Sequence, residues 1–116
     1  MSVQAAERRR WFRGATVPIR ITSEYWNTAT GEWDKIACDT DFPTLTVLDK
    51  DGNTIVDEEV LTVNPETGIY FWLLETDQDS PFGRYELIGT ISYSGALGSE
   101  TIVQVDKGSF VLEEIP

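Results

Sequence analysis

The chain has 116 residues, 41% apolar and 25% charged, with a formal net charge of −11 and no histidine. Such a length supports one domain, which at this size buries about two-thirds of its unfolded surface, and the composition is neither fibrous nor disordered. The missing histidine removes the commonest general base and metal ligand, and a single cysteine, Cys38, excludes an intrachain disulfide.

With no histidine to activate it, Cys38 is expected to pack as a small apolar side chain rather than act as a nucleophile. No apolar run reaches the ~18 residues that a membrane span needs. The opening "MSVQAAERRRWF" holds no apolar stretch of signal-peptide length. Synthesis in a cytoplasm and no membrane partner are therefore expected.

The charge is unevenly placed. Residues 1–20 contain five arginines against one glutamate, whereas residues 21–116 contain four basic and nineteen acidic side chains. An acidic body repels phosphate backbones, so no nucleic-acid partner is expected.

Taken in order, the elements repeat with a period of two. "ATVPIRITSEY" alternates Val17, Ile19 and Ile21 against Thr16, Pro18 and Arg20. Pro18 lacks a donor, which predicts an edge strand or a nearby bulge. The segment "YWNTATGEWDKIACDTDFP" is the longest irregular connection, with room for a small hairpin across "NTATGE". "TLTVLD" and "NTIVDEEVLTV" form the next pair, and "GIYFWLLET" follows the turn "NPETG". "GRYELIGTISY" places Tyr85, Leu87, Ile91 and Tyr93 on one face, and "ETIVQV" and "GSFVLEE" close the chain. Seven short strands with Gly-rich turns and no long helical stretch predict an all-β, seven-stranded antiparallel sandwich.

"LDKDGNTIVDEE" gathers Asp49, Asp51, Asp57, Glu58 and Glu59 around Gly52. With Gly52 at the sixth position of a calcium loop, Glu58 falls at the twelfth, but Val47 occupies the first, where a carboxylate is required. The flanks also read as strands. Asp-Gly between two alternating runs is a hairpin signal, because glycine accepts the positive φ of such turns. Asp77 and Asp79 in "TDQDSP" are too few carboxylates for a second metal site. No metal and no cofactor are expected.

Zinc-type cysteine pairs and phosphate-binding glycine loops are absent from the sequence. Paired carboxylates for glycoside hydrolysis also need a concave pocket, which a sandwich with short loops seldom has. A non-enzymatic role is expected.

The ordered set "RGATVPIRIT", "PTLTVLDKDGNTIVDEE", "TGIYFWLLET", "DQDSPFGRYELIGTISYSG" and "DKGSFVLEE" resembles the immunoglobulin-like domain of tailed-phage virion proteins, including the N-terminal domain of baseplate upper proteins. The resemblance covers about residues 13–114, with Ala15 where that family usually has Asp. It implies an immunoglobulin-like sandwich at residues 14–116; the preceding residues 1–13 read, from their own composition, as an extended basic arm. It further implies a structural protein of a phage particle, made in the bacterial host cytoplasm, decorating the head or attaching in the neck or tail. Its expected partners are other virion proteins and copies of itself in a symmetric assembly.

Two candidate contacts arise from the residues themselves. "ERRRWFR" supplies Arg8, Arg9, Arg10, Trp11, Phe12 and Arg13, and Arg and Trp are enriched at interface hot spots. No strand is expected to need this arm, so it reads as a separable anchor for an acidic surface. "GIYFWLLE" is apolar on both faces. The resemblance implies that Tyr70, Trp72 and Leu74 point inward, which leaves Ile69, Phe71 and Leu73 for a partner or a covering loop. The rival readings are a glycan-binding module using Trp26 and Trp33, and a calcium-dependent adhesion module using the acidic loops.

Overall fold

In a computed structural model of the protein, which describes residues 1–96 and 98–115, the period-two alternation resolves into two sheets. Among the described residues there are eleven strands: β1 (Ser2–Ala5), β2 (Arg10–Phe12), β3 (Thr16–Thr22), β4 (Glu24–Asn27), β5 (Glu32–Lys35), β6 (Thr44–Leu48), β7 (Thr54–Val60), β8 (Val63–Glu66), β9 (Ile69–Glu75), β10 (Gly83–Ser94) and β11 (Thr101–Glu113). One sheet has the order β1-β3-β9-β8 and the other β2-β11-β10-β6-β7, while β4 and β5 form a separate hairpin. The pairings are antiparallel except β2 with β11, which is parallel.

The inward faces follow the alternation in the sequence. Val17, Ile19 and Ile21 of β3 meet Leu45 and Val47 of β6, Leu87 and Ile91 of β10, and Phe110 and Leu112 of β11 in one buried cluster. Fully burying an aliphatic side chain of this kind is worth roughly 1.5–3 kcal/mol, so this cluster is the main source of stability. Tyr85 stacks on Phe110 with ring centroids 4.9 Å apart. The Tyr85 hydroxyl donates to the Pro81 carbonyl at 2.8 Å, tying the start of β10 to its preceding loop.

The strands divide differently from the seven expected, for identifiable reasons. "NTIVDEEVLTV" divides between the sheets, with Leu61 buried at the crossing between β7 and β8. "ETIVQV" and "GSFVLEE" are one strand, because β10 pairs with it without a break from Thr101 to Leu112. The hairpin across "NTATGE" is present as β4 and β5, with Asn27 paired to Glu32.

The expected extended arm is replaced by two strands. Residues 2–5 pair with Ile19–Thr22, and Val3 and Ala5 are buried. The chain then crosses to the other sheet, where Arg10–Phe12 run alongside Val111–Glu113. A basic run with two adjacent apolar residues, Trp11 and Phe12, shows no alternation, so this pairing had no local signal.

β1 can lie this close because β10 and β11 carry glycines beneath it. A Cβ on Gly89 would come within 2.5 Å of a Val3 methyl, and one on Gly108 would collide with the Val3 carbonyl. Strand-interior glycine marks such close approach.

Pro18 does not mark an edge, since β3 lies between β1 and β9. Its carbonyl accepts from the Ala6 amide at 2.7 Å. A strand residue turns its N–H and C=O to the same side, so the missing donor faces the point where β1 has ended and costs no sheet hydrogen bond.

Candidate interaction surfaces

The acidic turn is a hairpin between β6 and β7. Gly52 has φ of 83°, and the Asp49 amide donates to the Asn53 carbonyl at 2.9 Å. One Asp49 carboxylate oxygen accepts from the amides of Asp51 and Asn53, both at 2.9 Å, and the other from the Asn53 side chain at 3.2 Å. Burial pushes the Asp49 carboxyl up, but the hydrogen bonds from Asn53 and Asp51 outweigh it and hold the group below the usual carboxylate value. Asp49 is therefore a turn residue whose oxygens are already engaged. Asp77 behaves similarly, accepting from the Asp79 amide at 2.8 Å.

The arginines expected to form a uniform anchor have different local partners. Arg8 stacks over the Trp11 ring at 4.6 Å and makes no ion pair among the described residues. Arg10 pairs with Glu113. Arg13 lies 3.5 Å from a Glu114 carboxylate oxygen and 4.0 Å from the centre of the Phe82 ring. Arg9 is exposed and makes no ion pair among the described residues. Trp11 is only 8% exposed, and its indole N–H donates to the Arg8 carbonyl at 2.9 Å. Trp11 thus anchors β2 to the core, while Phe12, at 43% exposure, is the aromatic that faces outward.

Arg9 gains company from distant parts of the chain. A recess of about 360 Å³ is lined by Val3 and Gln4 of β1, by Arg9, by Arg84 and Glu86 of β10, and by Lys107 of β11. Arg84 and Lys107, like Arg9, are exposed and make no ion pair among the described residues. Three free cations thus face one carboxylate in an otherwise acidic protein. Nothing in the sequence joins them, because only the register of β10 against β11 places Arg84 beside Val111 and Glu86 beside Ser109.

The alternation expected along β9 is followed in part. Tyr70 and Leu74 are buried as expected, and Trp72 is half-buried against the core. On the alternate positions Leu73 is 60% exposed, while Ile69 and Phe71 are half-buried. Phe71 and Leu73 share a shallow apolar recess of about 220 Å³ with Val63 of β8.

Trp26 and Trp33 sit opposite each other on the β4–β5 hairpin, edge to face with centroids 5.5 Å apart. Both are exposed, at 47% and 55%. They belong to neither the core nor a cover over Leu73. Tyr25 of the same hairpin contacts Tyr93 with ring centroids 6.4 Å apart, which holds the hairpin to the body.

Comparison with protein-family models, curated proteins and solved structures returns no match.

Proposed function

We propose that this chain is an immunoglobulin-like sandwich serving as a non-enzymatic structural subunit of a tailed-phage virion. It attaches to neighbouring virion proteins, and to copies of itself, through its basic first strands and its exposed strand surfaces. The immunoglobulin-like assignment is supported by the division of the opening segment between both sheets and the parallel pairing of β2 with the last strand. The bond from Tyr85 back to Pro81 has the form of a tyrosine corner.

The observation that carries the assembly role is the surface charge. Uncommitted cations gather at one side of the five-stranded sheet, and the strand at its far edge, β7, is acidic and exposed. Such segregation suits docking of subunits, since complementary patches select partners and set register. In particles of the phage that encodes it, banded on a density gradient, the chain should be present in many copies. Recovery only from the soluble fraction of the lysate would overturn the reading.

The exposed Trp26–Trp33 pair favours one second reading, a glycan-binding module, because aromatic faces stack on sugars. Quenching or shift of tryptophan fluorescence by a glycan, lost in Trp26→Ala and Trp33→Ala, would support it.

A further inference from the structure

We infer that this chain associates with itself head to tail, the basic recess of Arg9, Arg84 and Lys107 on one copy receiving the acidic β7 edge of the next. The inference rests on the reading of the chain as an assembly subunit and specifies which surfaces meet and in what symmetry.

The two surfaces lie on different strands of one sheet. In the order β2-β11-β10-β6-β7, the recess is lined from β10, β11 and the residue before β2, and β7 is the edge strand on the other side of β10. Arg84, on β10, is the recess cation nearest to β7, two strand spacings or about 10 Å away across the sheet. That is about one Debye length at physiological ionic strength, and no ion pair joins the two patches among the described residues.

β7 is built to be met by something. All its residues except Val56 are exposed, and it carries Asp57, Glu58 and Glu59 in succession. None of the three makes an ion pair among the described residues. Ile55 and Val60, 46% and 37% exposed, flank the acids, and Phe12 offers an exposed apolar surface on the basic side. An acidic edge can be explained as protection against strand-to-strand aggregation, but that leaves the three unpaired cations of the recess without a role.

The same charges choose the symmetry. A two-fold contact through β7 would set acid against acid, and one through the recess would set cation against cation. Only the unlike pairing is attractive; made once per copy, head to tail, it is heterologous and generates a ring if the rotation closes and a filament if it does not, whereas made reciprocally it stops at a two-fold dimer.

Sedimentation of the purified full chain at low and high salt tests this. Wild-type protein should form species larger than a dimer as concentration rises, with association falling steeply as salt is added. Reversing either patch alone, with R9E/R84E or with D57K/E59K, should weaken association about tenfold or more, as for charge pairs at a docked interface. The four-substitution variant carrying both reversals should associate again. Each variant should melt like the wild type, which separates lost contact from lost fold. A protein monomeric at every concentration in low salt would overturn the inference, as would association that stops at a dimer, association indifferent to both reversals, or an assembly abolished only by Phe71→Ser and Leu73→Ser. Any of these would leave the virion reading to stand or fall on particle composition.

Discussion

The carbonyl group of Val3 lies directly against Gly108, so that a Cβ on Gly108 would meet the Val3 carbonyl carbon at 2.9 Å and collide with its oxygen. This contact joins the first strand of the chain to the last and makes residues 1–6 part of the sandwich. An arm attached only at its base would impose no such requirement on β11.

Gly108→Ala should therefore destabilise the fold by about 1–3 kcal/mol, the usual cost of forcing extra atoms into a packed site. Removing residues 1–6 should also lower the melting temperature, because Val3 and Ala5 leave the core. Calorimetry on both variants checks this. An unchanged melting temperature in the truncated chain would restore the view of a separable arm.

Tyr85→Phe should cost about 1 kcal/mol through loss of the hydroxyl bond to Pro81. Burial first, and then the carboxylates of Asp49 and Asp77, push the Tyr85 hydroxyl above its ordinary value. Burial raises Tyr70 and Tyr93 as well. The unfolded chain thus loses these protons first as the solution becomes alkaline. The associated stability is complete below pH ~10 and is lost as pH rises through the folded values. Urea unfolding between neutral pH and pH ~11 should show this decline, with a shallower slope in Tyr85→Phe.

The acid limb should report on Asp49. Its folded value is depressed by the hydrogen bonds of the turn, so its contribution is present above the unfolded value of ~3.9 and disappears as pH falls through the folded one. Asp49→Asn should flatten that part of the stability profile. A profile identical to the wild type's would mean that the turn survives protonation unharmed.

Gly52→Val should destabilise by about 1–2 kcal/mol, because a side chain at φ of 83° is strained even in open space. Chelator, by contrast, should leave the melting temperature unchanged, since the Asp49 oxygens are held by N–H donors. A drop of more than ~10 °C would indicate metal bound to the native state.

What the sequence determined by itself was local. Alternation identified the inward face of β3 at Val17, Ile19 and Ile21, and Asp-Gly placed the β6–β7 turn, because side-chain period and backbone φ are properties of neighbouring residues. The Tyr85 bond to Pro81 is local in the same way, spanning only four residues. Tertiary structure decided the rest. Whether Val3 was tail or core depended on glycines at positions 89 and 108, and whether Arg9 stood alone depended on the registers that bring Arg84 and Lys107 beside it. Trp11 was read as an exposed contact, yet its side chain closes the core beneath β2. Register is chosen by the summed burial of whole sheets, and no short window of sequence contains that sum.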